Sequence, residues 1–139
     1  MNYWIKFLTL SVSVNNLKLD LKNLMTINKI LHIQPITLNE RLEKGDDICL
    51  IDVRDDWEYS LTSIKGSNHV PLNELVDRVQ EIMFEEEIVV YCHHGERAFL
   101  GAQILTESGF KKVYHLMGGI DAWSQVVDPK IPRYKSESF

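Results

Sequence analysis

The 139-residue chain has only two cysteines, Cys49 and Cys92. That excludes a disulfide-stapled scaffold, in which several bridges replace a core. One bridge is formally allowed, but two cysteines with different jobs in a reducing compartment fit better. The chain also lacks any run of eighteen or so apolar residues, so no spanning helix is expected. Basic charge is in short supply, with 15 Lys and Arg against 20 Asp and Glu for a net charge of −5. A nucleic-acid binder needs a basic face to neutralise phosphates, and this balance disfavours one. What is present, 45% apolar and 25% charged residues, is the composition of a soluble globular protein with one core.

The first 32 residues lack Gly, Pro and Ala but hold five Asn. Their Lys6, Lys18, Lys22 and Lys29 face Asp20 alone, a balance of +3 that leaves −8 for the remainder. This shift suggests an appendage (1–32) on a domain that starts near Ile33. Within the appendage, 7–14 alternates as a strand would, and Leu17, Leu21 and Leu24 suit one helical face. Lys6 followed by the apolar stretch has the form of a signal peptide but no Ala-x-Ala-like cleavage site follows, and a start at Met25 is a further alternative.

From Ile33 onward strands and helices alternate. Thr37-Leu-Asn-Glu40 is a capping-box pattern opening a helix that Gly45 stops. Residues 48–53 form an apolar run suited to a strand buried on both faces. Asp55 and Asp56 can cap a short helix to about Leu61, and 67–70 reads as a short strand ended by Pro71. The apolar spacing predicts a helix over 72–84, a strand over 87–91, a helix over 97–108 stopped by Gly109, and a strand over 112–116. After the sharp turn at Gly118-Gly119, a last helical segment is expected over 120–125. Such alternation implies an α/β fold, a central parallel sheet flanked by helices on both faces.

Cys92 stands at the end of the apolar strand, where α/β sheets bind their ligands. His93, His94, Gly95, Glu96 and Arg97 follow, and then a helix. The loop amides can turn inward as an anion-binding nest, and the helix adds its positive end. Both favour a thiolate over a thiol. Arg97 opposes the helix dipole, so an anion-related role suits it better than a stabilising one. Cys49, flanked by Ile48, Leu50 and Ile51, reads as plain core. Adjacent His93 and His94 do not have metal-ligand spacing, and neither a metal nor an organic cofactor is expected. One of the two histidines should line the pocket and the other face solvent.

Cys-His-His-Gly-Glu-Arg after Ile-Val-Val-Tyr resembles the active-site loop of rhodanese-like sulfurtransferases. Ile51-Asp-Val-Arg54 with Glu58-Tyr59, Gly66-Ser-Asn-His-Val-Pro71 and Leu116-Met-Gly-Gly-Ile-Asp-Ala-Trp123 resemble that family's other motifs, in order. Thr62-Ser63 departs from the family's frequent Gly-His, and Glu96 makes the loop less positive than its most cationic members. The resemblance implies a rhodanese-like fold and a single-domain sulfurtransferase in which Cys92 is the nucleophile. It implies a Cys92 persulfide, formed from a small anionic donor such as thiosulfate or another persulfide and passed to a thiol or protein acceptor. A partner-dependent persulfide carrier or interaction module is the second reading. A phosphatase of the same fold is the third, disfavoured because only four residues separate Cys92 from Arg97 and a smaller ring fits a phosphate poorly. A cytoplasmic site, or the stroma or matrix of an organelle, suits the free thiols.

Asp52, Arg54 and Glu58 read as supporting residues, with an ion pair between Arg54 and Glu58 expected at the strand end. Trp57, Tyr59, Trp123 and Tyr134 read as packing residues. His32, His69 and His115 show no pattern.

Overall fold

The computed structural model describes Leu21 and residues 23–135. The strand reading of 7–14, the signal-peptide reading and Leu17 lie outside the described residues. Leu21 and Leu24 are helical, and both are about half exposed.

Five parallel strands form one sheet: β1 (Leu31–Ile33), β2 (Cys49–Asp52), β3 (Asn68–His69), β4 (Glu87–Tyr91) and β5 (Lys112–Leu116), in the order β1-β5-β4-β2-β3. Besides the helical residues 23–29, the helices are α1 (Pro35–Glu43), α2 (Asp56–Leu61), α3 (Glu96–Glu107) and α4 (Gly119–Val126) among the described residues. Among the described residues, no helix is long and apolar enough to cross a membrane.

Successive strand residues point to opposite faces, and both faces are covered. Cys49 and Ile51 of β2, Ile88 and Val90 of β4 and Val113 of β5 pack with Ala98, Ala102 and Leu105 of α3. Leu50, Val89, Tyr91 and Leu116 pack on the other side with Leu38 of α1 and Ile120 and Trp123 of α4. β4 is thus the centre of the sheet in both directions, and Cys92 leaves its carboxyl end.

Two expectations need correction. The first helix begins at Pro35, not at a Thr37 capping box: proline at the first helical position fixes φ where no amide hydrogen bond is needed. Its stop at Gly45, with φ +86°, is as expected. The helix expected over 72–84 is replaced by two 3-10 turns, Leu72–Glu74 and Val79–Ile82. Leu75 and Ile82 are buried there but Val76 and Met83 are exposed, so no continuous apolar stripe exists to hold a helix down. β-Branched residues and Asp77 weaken local helix propensity further.

Candidate active site

The site is assembled from the ends of several strands and helices. The loop from Cys92 to Gly95 joins β4 to α3, and Cys92 is almost fully buried within it. Its Sγ accepts hydrogen bonds from the Gly95 N–H at 3.1 Å and the Ala98 N–H at 3.3 Å. Ala98 is in the first turn of α3, where amides have no partner inside the helix.

The loop carbonyls point away from the sulfur. The carbonyl of Cys92 accepts from Ile120 N–H at 2.8 Å, and that of His93 from Asp121 N–H at 3.1 Å. That of Gly95 accepts from Phe99 N–H at 3.0 Å and lies 2.9 Å from His115 Nε2. The first turn of α4 and the His115 side chain therefore hold the acceptors outward, leaving donors to face Sγ. Gly95, at φ +127°, makes the turn into α3.

Behind the loop lie two ion pairs, one fully buried and one partly exposed at its arginine. Arg54 and Asp52, both fully buried, meet at 2.6 Å, with further contacts at 2.9 and 3.1 Å. Arg54 also donates to the Thr62 carbonyl at 2.6 Å, which anchors the turn where Thr62-Ser63 stands. Glu58 is gripped bidentately by Arg97 at 2.6 and 2.8 Å. The expected Arg54–Glu58 ion pair is thus replaced by Asp52–Arg54 and Glu58–Arg97. Arg54 finds a carboxylate two residues back on its own strand end, and α3 delivers Arg97 to Glu58. Burial pushes the Glu58 carboxyl up, but hydrogen bonds from Arg97, the Asp55 N–H and Tyr134 outweigh it and hold the pKa at about 2.

The hydroxyl of Tyr134 joins the pairs, accepting from Arg54 at 2.9 Å and donating to Glu58 at 2.8 Å. Tyr134 is therefore more than the packing residue expected, and no local motif announces this. His93 is buried with its ring stacked on Tyr134, centroids 3.9 Å apart, while His94 is exposed, 3.8 Å from Asp121. Burial, and the nearby His94, lower the His93 pKa, which favours a neutral ring. Glu96 is exposed at the first position of α3. His115 also meets His32, with Nδ1 atoms 3.3 Å apart. His69 reaches the Arg54 carbonyl at 2.7 Å and so sits behind the ion pairs, not in the loop. Cys49 is buried in β2, and burial raises its thiol to about 11, as befits a core cysteine.

The arrangement can hold an anion on Sγ by main-chain donors, and Arg97, in the first turn of α3, is already paired to Glu58. The chain is 38% identical over 82 residues to the thiosulfate sulfurtransferase GlpE of Coxiella burnetii, covering 59% of this chain and 77% of that one. It is 32% identical over 85 residues to the candidate sulfur carrier protein YrkF of Bacillus subtilis, covering 61% of this chain. It spans about half of that relative, 46% of its length. The solution structure of the rhodanese-like domain of Anabaena protein Alr3790 matches with a TM-score of 0.63 and 26% identity, over 78% of this chain and 88% of that one. The family model described as "Rhodanese-like domain" matches residues 34–126, from the end of β1 through α4. The chain belongs to the rhodanese-like domain family.

Proposed function

We propose that this protein moves a sulfane sulfur from a donor to a thiophilic acceptor through a persulfide on Cys92. The outward turn of the Cys92, His93 and Gly95 carbonyls carries this reading, because it leaves amides to face the sulfur. The Cys92 thiolate attacks the outer sulfur of thiosulfate; the sulfur–sulfur bond of the donor breaks and sulfite leaves with its electron pair. The product is an anionic persulfide on Cys92, one sulfur longer than the thiolate. Donors preorganised around Sγ are suited to hold that charge. An acceptor such as cyanide or a thiolate then bonds to the terminal sulfur and returns Cys92 as thiolate. The sulfur atoms account for all electrons moved. His93, His94, Gly95, Glu96 and Arg97 form the rim in this reading, and Asp52, Arg54 and Glu58 brace it. A cytoplasmic setting suits a thiol that must stay free.

One observation favours a second reading, a carrier loaded by a partner protein. Arg97 is committed to Glu58, and Glu96 is the exposed charge on the loop, so a dianionic small donor finds no unpaired loop cation there. The likeness to YrkF points the same way.

Incubation with thiosulfate followed by intact-mass measurement tests the proposal. One added sulfur on wild-type protein, none on Cys92→Ser, and turnover with cyanide are expected. Sulfur loading that survives Cys92→Ser removes Cys92 as the nucleophile. Loading only from a protein persulfide selects the carrier.

A further inference from the structure

Past α4, and past the residues matched by the family model, the chain turns back across the carboxyl end of the sheet. Arg133 donates to Asp121 at 2.9 and 3.1 Å. Tyr134 then lies flat on His93, within 11° of parallel, and meets Trp57 edge-on with centroids 5.7 Å apart. Its hydroxyl is the bridge between Arg54 and Glu58.

We propose that Tyr134 is a positioning residue for Cys92, so that the C-terminal strap sets the shape of the active loop. The consequence for catalysis rests on the sulfur-transfer reading; the mechanical coupling does not. Glu58 receives four donors: Oε2 takes Arg97 Nη1 and the Asp55 N–H, and Oε1 takes Arg97 Nη2 and the Tyr134 hydroxyl. Without the hydroxyl, Arg54 Nη1 loses an acceptor in a fully buried place, and Glu58 loses one of its four donors. The unmet Arg54 donor carries the cost of a buried polar group without a partner, and Glu58, with three donors left, is held less tightly. The carboxylate and guanidinium then relax, and Arg97 immediately precedes Ala98, whose amide holds Sγ. The Tyr134 ring acts at the other end of the loop through His93, the neighbour of Cys92. No contact runs from Tyr134 to Sγ among the described residues, so its effect passes through these side chains.

The test is Tyr134→Phe, which keeps the ring and deletes the bridge. Amide hydrogen exchange at Gly95 and Ala98 should quicken about tenfold while Val89 and Val90 in β4 stay as in wild type, the mark of local loosening. Single-turnover sulfur loading from thiosulfate should slow about tenfold at saturating donor, with the half-saturating concentration little changed, as expected when reacting groups are misplaced. Arg133→Gln loosens the exposed end of the strap with Tyr134 intact, and should move the same amides the same way by a smaller factor. Loop exchange unchanged in both variants overturns the proposal, as does a uniform rise through β4 or loading equal to wild type. If wild-type protein takes sulfur from neither thiosulfate nor an alkyl persulfide, the sulfur-transfer reading fails, and the exchange pattern alone decides the positioning role.

Discussion

At Gly119 two backbones come so close that no side chain fits between them. A Cβ there would lie 2.4 Å from the His93 carbonyl oxygen and 2.5 Å from that of Cys92, and φ is +60°. Gly119→Ala must therefore push away the turn that draws those carbonyls out. We expect a loss of roughly 1–3 kcal/mol in urea unfolding from strain at this backbone position, together with impaired sulfur loading at Cys92. A variant as stable and as active as wild type would show that the close approach is dispensable. The sequence displays this glycine only as half of a Gly-Gly turn, because the oxygens it must clear are contributed by residues far away in the chain. The two cysteines were easier. Cys49 sits among apolar neighbours and Cys92 before a polar loop, and that contrast is local. Pairing of the buried charges was not local: Arg97 comes to Glu58 across 39 residues and Tyr134 across 76. Spacing along the chain favoured Arg54 for Glu58, but Asp52 holds Arg54 instead.

Between elements, the Glu58–Arg97 grip ties the first turn of α2 to the first turn of α3. Its pH dependence has a definite sign. The Glu58 carboxyl has a folded-state pKa of about 2 against an ordinary 4.5, so the folded protein holds the charged form more tightly than the unfolded chain does. The resulting stabilisation is fully present above pH 4.5 and is lost as pH falls through 4.5 towards 2. It amounts to about 3 kcal/mol at most. Urea midpoints measured between neutral pH and pH 2 should fall in that window, and Glu58→Gln should flatten this part of the curve while lowering stability at neutral pH. An unchanged acid limb in the variant would place the acid sensitivity elsewhere. Elements themselves were legible in proportion to how much apolar pattern they carry. β4 carries a continuous apolar run and β5 carries Val113, Tyr114 and Leu116 around His115, and the bounds of both match the expectation residue for residue. β1 has three residues and buries only Ile33, so it carries no pattern to read. Residues 72–84 had the spacing of a helix but not the burial, since the apolar residues answer to different neighbours.

For the whole molecule, the central strand decides how the fold fails. Ile88 and Val90 belong to the core under α3, while Val89 and Tyr91 belong to the core under α1 and α4. β2 is shared in the same way, through Cys49 and Ile51 on one side and Leu50 on the other. Neither layer can lose its sheet without exposing the other, so the two cores should melt as one cooperative unit. The chemistry depends on this: α3 supplies a donor to Sγ from one layer, and α4 turns the carbonyls outward from the other. Cys49 and Trp123 report on the two layers separately. In a Cys92→Ser background in which Trp4 and Trp57 are also replaced by Phe, so that Trp123 is the remaining tryptophan, urea-dependent alkylation of Cys49 should share its midpoint with the change in tryptophan emission and with loss of far-ultraviolet dichroism. Cys49 becoming reactive at lower urea than the loss of helix signal would mean that the α3 layer opens alone. Cys92 would then lose the Ala98 donor while α4 still held the carbonyls of Cys92 and His93, and the loop would be shaped by one layer, not by both.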